Sequence, residues 1–383
     1  MGENHHIILF SALDWGLGHT TRSIPILTHL NNTNAQLIIA VQPQSASEKI
    51  LQRHFPHAIY VPLPGYGITY SKKKRFFSLK IFLQIPKILK AIRKERRFVN
   101  QIIKTYPVQL IISDNRYGFY HPSVPSVFIT HQLRIAAPLP LIENWIQRIN
   151  YRYINHFSQL WIPDFKGTPN LAGKLSHPAR LPEKCKAHYI GPLSRLTETT
   201  LPTPVVQDNE SATEASFKYL FLLSGPEPAR SILEKRLLEA AAELKAKSIL
   251  VRGLPAEAKK TDGVIEAEQR PDGLKVIHYA DPALLGRLIK SVDFIICRSG
   301  YSTVMDLILL GKKGIYIPTP GQTEQEYLAK HLMDQHWGFC FNQDEPNYKA
   351  RFDQAEDYTY QLPSIEKENL AQILEPLIES GGF

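Results

Sequence analysis

The chain has 383 residues, enough for two domains of ordinary size, and its 43% apolar and 21% charged content gives each half a core and argues against global disorder. Three cysteines, Cys185, Cys297 and Cys340, are odd in number and far apart, so they predict neither a disulfide framework nor paired metal-ligand spacing, which fits a reducing cytoplasm. The formal charge of +9 is concentrated in residues 72–97, which hold eleven Lys and Arg against one acid, Glu95, while the rest of the chain nearly balances at 34 bases and 35 acids.

In chain order, MGENHHIILF enters a strand without the basic leader and cleavage site of a signal peptide, and no stretch approaches the ~18 apolar residues of a membrane span. The strand HHIILFSA is followed by a glycine-rich turn and the helical pattern RSIPILTHL. The strand QLIIAVQ, the helix SEKILQRHF and the strand AIYVPLP come next. The basic segment then interleaves cations with Phe76, Phe77, Leu79, Ile81, Phe82, Ile85, Ile88 and Ile92, and Pro86 is expected to kink it. Three readings are open: a solvated helix face, an anionic membrane surface, or a nucleic-acid contact. No zinc-finger spacing or RNA-binding signature stands beside it, so no nucleic-acid partner is expected.

The strands VQLIISDN, VPSVFITHQ, LWIPDF and HYIGPL complete the first half. Strands alternating with helices imply a parallel sheet covered on both faces. Residues 197–216, rich in Thr, Pro, Ser and acids, read as a linker between domains 1–196 and 217–383. The alternation restarts with KYLFLLSG, SILEKRLLEAAAELK, SILVRG, LKVIHYA, ALLGRLIKSV, DFIICRSG, STVMDLILLG, KGIYIPTP and EQEYLAKHLMD, and the closing SIEKENLAQILEPLIE is expected to be a helix near the domain junction. Two doubly wound α/β domains facing a central cleft are predicted, with ligands beyond the carboxyl ends of the strands.

Two stretches carry chemistry. In the second half, Arg298-Ser299-Gly300 ends a buried strand, and a helix is expected to start near Ser302-Thr303. Hydroxyls and backbone N–H groups at a helix start hold a phosphate, although Ser and Thr also cap helices ordinarily. Asp306, one turn on, is placed to accept from two ribose hydroxyls or to sit on the helix dipole. Gln322, Gln325 and Glu326 cluster after the next strand, a polar set suited to a sugar or a polar helix start. In the first half, FSALDWGLGHTTRSIPI places Gly16 and Gly18 in a strand–helix turn and His19 at a helix start, where the dipole favours the neutral imidazole that a base requires. Asp114 ends a strand at the same sheet edge. It reads as an orienting partner for His19 or as a turn cap. Arg116, Tyr117, His131 and Gln132 are expected on the same side, and Arg22 is open to approaching a phosphate or capping a helix.

The stretch Val276–Lys330 resembles the nucleotide-sugar-binding half of GT-B glycosyltransferases, above all the MurG-like family with its family-28 C-terminal module. The glycine loop around His19 resembles that family's acceptor loop. The resemblance implies that Ser299, Gly300, Ser302 and Thr303 hold the donor diphosphate and that Asp306 binds the ribose. It further implies that Tyr279 and Ala280 border the base pocket and that Arg195 of GPLSR meets the phosphates. The family's glutamine pair on the donor sugar appears as Gln325 and Glu326, a departure at the second position. Its glycine-rich phosphate loop appears as LLSGPEPAR, where Ser224 and Gly225 qualify and the two prolines lack N–H groups.

The implied activity is an inverting glycosyltransferase that uses a nucleotide-diphosphate sugar, expected to be UDP-linked, with His19 as base, Asp114 behind it and a hydroxyl acceptor that could be lipid-linked. No aspartate pair of the metal-holding kind and no retaining-type acid pair is found (the residue eight before Asp306 is Arg298), so no metal and no cofactor are expected. The expected location is the cytoplasm, with peripheral contact to the membrane's inner face. A nucleotide-sugar epimerase and a non-catalytic sugar-nucleotide or glycan-binding protein are the alternatives.

Overall fold

The computed structural model describes residues 6–14, 16–33, 35–67, 84–135, 140–196, 217–244, 246–254, 260–261, 264–265, 267–365 and 370–380. The expected linker 197–216 and the Lys72–Leu83 part of the basic segment lie outside them. The chain divides into two compact units: the first holds the described residues up to Leu193 and the C-terminal helix Leu370–Ser380, the second lies within Ser194–Ile365.

In the first unit, strands β1 (Ile7–Ala12), β2 (Gln36–Val41), β3 (Ile59–Pro62), β4 (Leu110–Asp114), β5 (Ser126–Ile129), β6 (Gln159–Ile162) and β7 (Lys186–Tyr189) form one sheet in the order β3-β2-β1-β4-β5-β6-β7. Every neighbouring pair is parallel. The central strands are buried almost throughout, as apolar runs covered on both faces must be. The helices are α1 (Leu17–Asn32), α2 (Ala46–His54), α3 (Ile85–Thr105) and α4 (Pro140–Ile154), and the C-terminal helix packs on α1.

Register shows which helices share a face. Leu9 pairs with Ile111 and Ser113 with Phe128, so the period of two places Leu9, Ile111 and Phe128 on one side of the sheet. Val99, Phe98 and Ile102 of α3 pack with Leu9 and Ile111, and Ile154 and Tyr151 of α4 pack with Phe128. The two helices therefore cover the same face. Pro86 does not kink α3: it sits in the first turn, where its missing N–H has no helical partner to lose.

The second unit repeats the plan with β8 (Phe217–Leu222), β9 (Ser248–Val251), β12 (Ala267–Gln269), β13 (Leu274–Ile277), β14 (Val292–Cys297), β15 (Lys313–Tyr316) and β16 (Gly338–Cys340), ordered β12-β13-β9-β8-β14-β15-β16. Only the edge strand β12 runs antiparallel. A separate short pair, β10 (Lys260–Thr261) and β11 (Val264–Ile265), lies in sequence between β9 and β12. Its helices are α5 (Ala229–Glu243), α6 (Pro282–Lys290), α7 (Tyr301–Leu309), α8 (Thr323–Asp334) and α9 (Tyr348–Asp357). The chain reverses direction across the sheet between β8 and β14, which makes the carboxyl ends of these strands the switch point where ligands bind in open α/β sheets.

Candidate functional site

In the first unit, Asp114 ends β4 and its side chain is completely buried at the carboxyl edge. A bare carboxylate there would be costly, and four donors answer it. His19 Nδ1 lies 2.8 Å from Oδ1, Arg22 Nε donates to Oδ2 at 2.7 Å, and Ser23 Oγ donates to Oδ2 at 2.9 Å. Arg22 Nη2 also donates to Oδ1. Burial by itself would raise the Asp114 pKa, but the Arg22 guanidinium and His19 hold it well below the usual carboxylate range. The ionised carboxylate only accepts, so His19 donates from Nδ1, and in the neutral ring the lone pair then lies on Nε2. The His19 side chain keeps 16% exposure, which leaves the ring open to a reactant.

Local structure sets up this cluster. Gly16 caps α1 with φ +93°, a conformation that L side chains rarely adopt, and so turns the chain from β1 into the helix. His19, Arg22 and Ser23 follow at i, i+3 and i+4 on one helix face, all within reach of Asp114. Gly18 lies in the first turn of α1. Arg22 and Ser23 are the members that the sequence reading did not place, and His131 lies on this side as expected. Buried His131 accepts at Nδ1 from Arg22 Nη1 at 3.0 Å, and the i, i+3, i+4 spacing was the available signal for the other two.

Arg116 does not line an open acceptor side. It is 1% exposed and donates to Glu95, Ala12 O and Pro64 O. Glu95, the acid of the basic segment, is buried with it and also accepts from Tyr66 Oη and Gly118 N. Tyr117 donates its hydroxyl to Asn150.

In the second unit, the helix after Arg298-Ser299-Gly300 begins at Tyr301. Gly300 is its N-cap and no side chain caps it. Gly300 has φ −73°, which any residue adopts, but a Cβ there would meet nothing within 4 Å, so the space before the helix is open. Ser302 and Thr303 lie in the first turn, half-buried. Ser299 is fully buried, and its hydroxyl donates to Gln325 O at 2.8 Å, tying β14 to α8.

Asp306 accepts from Ser194 Oγ. Burial pushes its pKa up to about 6 against the pull of that bond and of the Arg195 charge. Arg195 sits among Asp306, Tyr279 and Asp281, its pKa lowered by burial while those groups oppose the shift. Its Nη1 is buried without a hydrogen-bond partner among the described residues. The structure thus gathers Arg195, Tyr279 and Asp306, with Ser194 as the member that the sequence reading missed. Ala280 is buried beside Tyr279.

Gln325 and Glu326 fold back onto their own loop. Gln325, 7% exposed, accepts at Oε1 from Thr319 N at 2.8 Å, and Glu326 Oε1 accepts from Gly321 N at 2.9 Å. Gln322 caps α8 with its backbone and donates its N–H to Thr319 O. Ser224 and Gly225 are exposed just after β8. Among the described residues, no three His, Cys, Asp or Glu side chains gather in a way that could hold a metal ion.

Residues 220–354 match the family described as "Glycosyltransferase family 28 C-terminal domain". A UDP-N-acetylglucosamine--N-acetylmuramyl-(pentapeptide) pyrophosphoryl-undecaprenol N-acetylglucosamine transferase of Rickettsia bellii (strain RML369-C) is 23% identical over 233 residues, which cover 60% of this chain and 62% of that protein. The match thus spans less than two thirds of the relative. The crystal structure of Acinetobacter baumannii MurG aligns over 98% of this chain and 99% of its own with TM-score 0.56 and 14% identity. That of Arabidopsis thaliana UGT89C1 complexed with UDP aligns over 98% and 99% with TM-score 0.65 and 13% identity. At such identities the likeness establishes the fold, the GT-B arrangement of two α/β units.

Proposed function

We propose that this chain, a GT-B protein that carries a glycosyltransferase family 28 C-terminal domain, is an inverting glycosyltransferase that moves a sugar from a UDP-linked donor to a hydroxyl acceptor. The observation that carries the reading is the His19–Asp114–Arg22 cluster, which fixes an imidazole in the tautomer of a general base. In the reaction, His19 Nε2 takes the proton of the acceptor hydroxyl as that oxygen forms a bond to the anomeric carbon. The bond from that carbon to the diphosphate breaks on the opposite side, and the configuration inverts. Asp114 orients the ring and stabilises the imidazolium that forms. The second unit holds the donor: Asp306 accepts from the ribose, and the uncapped start of α7 with Arg195 stabilises the departing diphosphate without need of a metal. A UDP donor is supported by the UDP-N-acetylglucosamine in the name of the Rickettsia relative and by the UDP bound in the Arabidopsis structure.

The acceptor is read as lipid-linked and met at the cytoplasmic membrane surface. Lys87, Lys90, Arg93, Lys94, Arg97 and Lys104 are exposed on α3, and the one acid of that segment, Glu95, is buried against Arg116. On α4, Leu141, Trp145 and Ile149 are exposed at successive i+4 positions, and exposed Arg148 and Arg152 accompany them. Cations and an exposed apolar stripe on one face of the sheet suit an anionic bilayer interface. Among the described residues no helix is long and apolar enough to cross a membrane.

The test is a comparison of UDP, dTDP, GDP and ADP as thermal stabilisers of wild type and Asp306→Ala. Selective stabilisation by UDP that the variant loses supports the donor reading. Stabilisation by none of the four would move the reading to a non-catalytic protein.

A further inference from the structure

Arg22 brings a second full charge into the buried cluster on Asp114. Its side chain is 2% exposed and stands one helical turn after His19 on α1. The guanidinium fork closes on both oxygens of the carboxylate: Nε donates to Oδ2 at 2.7 Å, and Nη2 donates to Oδ1. The remaining nitrogen, Nη1, donates to Nδ1 of buried His131 at 3.0 Å, which fixes the fork in turn. With His19 Nδ1 on Oδ1 and Ser23 Oγ on Oδ2, each carboxylate oxygen meets two donors, and the roughly four acceptor positions of the group are filled.

The charge matters as much as the geometry. A lone carboxylate in contact with an imidazole favours the charged ring, by about one to three pH units. A ring that already carries the proton is no base. Here guanidinium and carboxylate are both buried and sum to zero, so His19 faces an ion pair rather than an anion. Burial keeps this cancellation strong, because little water screens either charge. Among the described residues, the charged groups of neighbouring elements are engaged elsewhere or exposed to solvent. Asp14, after β1, accepts from Tyr66 N, and Glu48 of α2 accepts from Gln44 N. Lys49 and Arg53 of α2 are exposed, as are Glu375 and Glu379 of the C-terminal helix.

We propose that Arg22 is a positioning residue for the base: its fork holds both oxygens of Asp114, one of them on His19 Nδ1, and its charge limits the hold of that carboxylate on a proton, so that the ring stays neutral and ready to accept. This rests on the reading of His19 as the base. Without Arg22, the His19–Asp114 pair would keep one extra proton, and either place for it spoils the base. On the ring it occupies Nε2. On Asp114 it turns the carboxyl into a donor, which reverses the tautomer and moves the lone pair to Nδ1.

The experiment follows the imidazole of His19 against pH by nitrogen NMR of histidine-labelled protein, the resonance being identified by its loss in His19→Ala. Wild type is compared with Arg22→Gln, Arg22→Lys and the double variant Arg22→Gln/Asp114→Asn. Removal of the cation alone is expected to raise the pH at which the pair takes up its proton by about one unit or more. Arg22→Lys keeps the cation and is expected within about half a unit of wild type. The double variant is expected there too, since it leaves no net charge beside the ring and no bare buried carboxylate to unfold it. A double variant that titrates about one unit below wild type would overturn the proposal, because Asp114 would then have acted on the ring at full strength. That arm decides the matter where Arg22→Gln does not fold. Folded Arg22→Gln that titrates with wild type would overturn it as well, and so would Arg22→Lys shifted as far as Arg22→Gln. The titration is read on the ring itself, so it is separate from the assignment of His19 as base, which the transfer rate of His19→Ala decides.

Discussion

Asp114, at the end of β4, and Asp306, inside α7, are both carboxylates, and their surroundings push them in opposite directions. Asp114, with Arg22, His19 and Ser23 on its oxygens, is held ionised far into acid. Its folded pKa lies below the unfolded value near 3.9, so the stability it contributes is present above that value and is lost as pH falls through the folded one. It cannot compete for the acceptor's proton, which supports the proposal of His19 as the base. His19→Ala is expected to lower transfer about 10²- to 10⁴-fold, the usual worth of a positioned base, with donor affinity unchanged. Initial rates set beside nucleotide titration check this, and a rate that survives removes His19 from the role. Asp306 behaves otherwise. Burial raises it to about 6, above its unfolded value, so the folded state holds the extra proton between pH 4 and 6 and apo stability falls as pH rises through that window. Asp306→Asn is thus expected to raise the melting temperature of the ligand-free protein at pH 7.5 and to change it little at pH 4.5, while it weakens UDP binding. Thermal melts at the two pH values decide it. A variant less stable at pH 7.5 would show that the Ser194 bond outweighs the cost of the buried charge.

At the scale of elements, strands such as IILFSA, LIISD and VDFIIC are short apolar runs that only a doubly covered sheet can accommodate, and they were legible from the residues alone. Helix α4 was not. Leu141, Trp145 and Ile149 are exposed while Ile154 is buried, so apolar residues fall on opposite faces and blur the helical period. Edge strand β12 was missed for the reverse reason: Ala267, Glu268 and Gln269 are all exposed and carry no buried pattern. The same blurring gives α4 its interest, because a helix that exposes its apolar residues beside a cationic neighbour has the composition of an interfacial one. Lys90→Gln with Lys94→Gln removes two exposed charges, each worth roughly 1 kcal/mol at an anionic surface, so partitioning to phosphatidylglycerol vesicles should fall about 30-fold. Trp145→Ser should weaken it further. Sedimentation with those vesicles, against phosphatidylcholine as control, gives the answer, and unchanged partitioning would return α3 to a plain solvated face.

For the whole molecule, two sheets of the same plan were legible in the alternation of apolar strands and helical periods. Partnerships that join distant positions were harder to read. Spacing along one helix could suggest Arg22, but nothing local says that its guanidinium meets a carboxylate 92 residues away. Nor does the sequence tell that Ser299 spends its hydroxyl on Gln325 O rather than on a ligand. The division into two units carries a consequence for stability, because each buries its own core and the residues proposed to hold the donor, Arg195 and Asp306, both belong to the second. Calorimetric unfolding is therefore expected to show two transitions, and UDP at about 100 times its dissociation constant should stabilise one of them by about 2.7 kcal/mol. The transition that moves should be the second unit's. His19→Ala should leave that shift intact, since His19 belongs to the first unit, and Asp306→Ala should abolish it. A shift confined to the other transition, or one lost in His19→Ala and kept in Asp306→Ala, would place the nucleotide on the first unit and reverse the assignment of donor and acceptor halves.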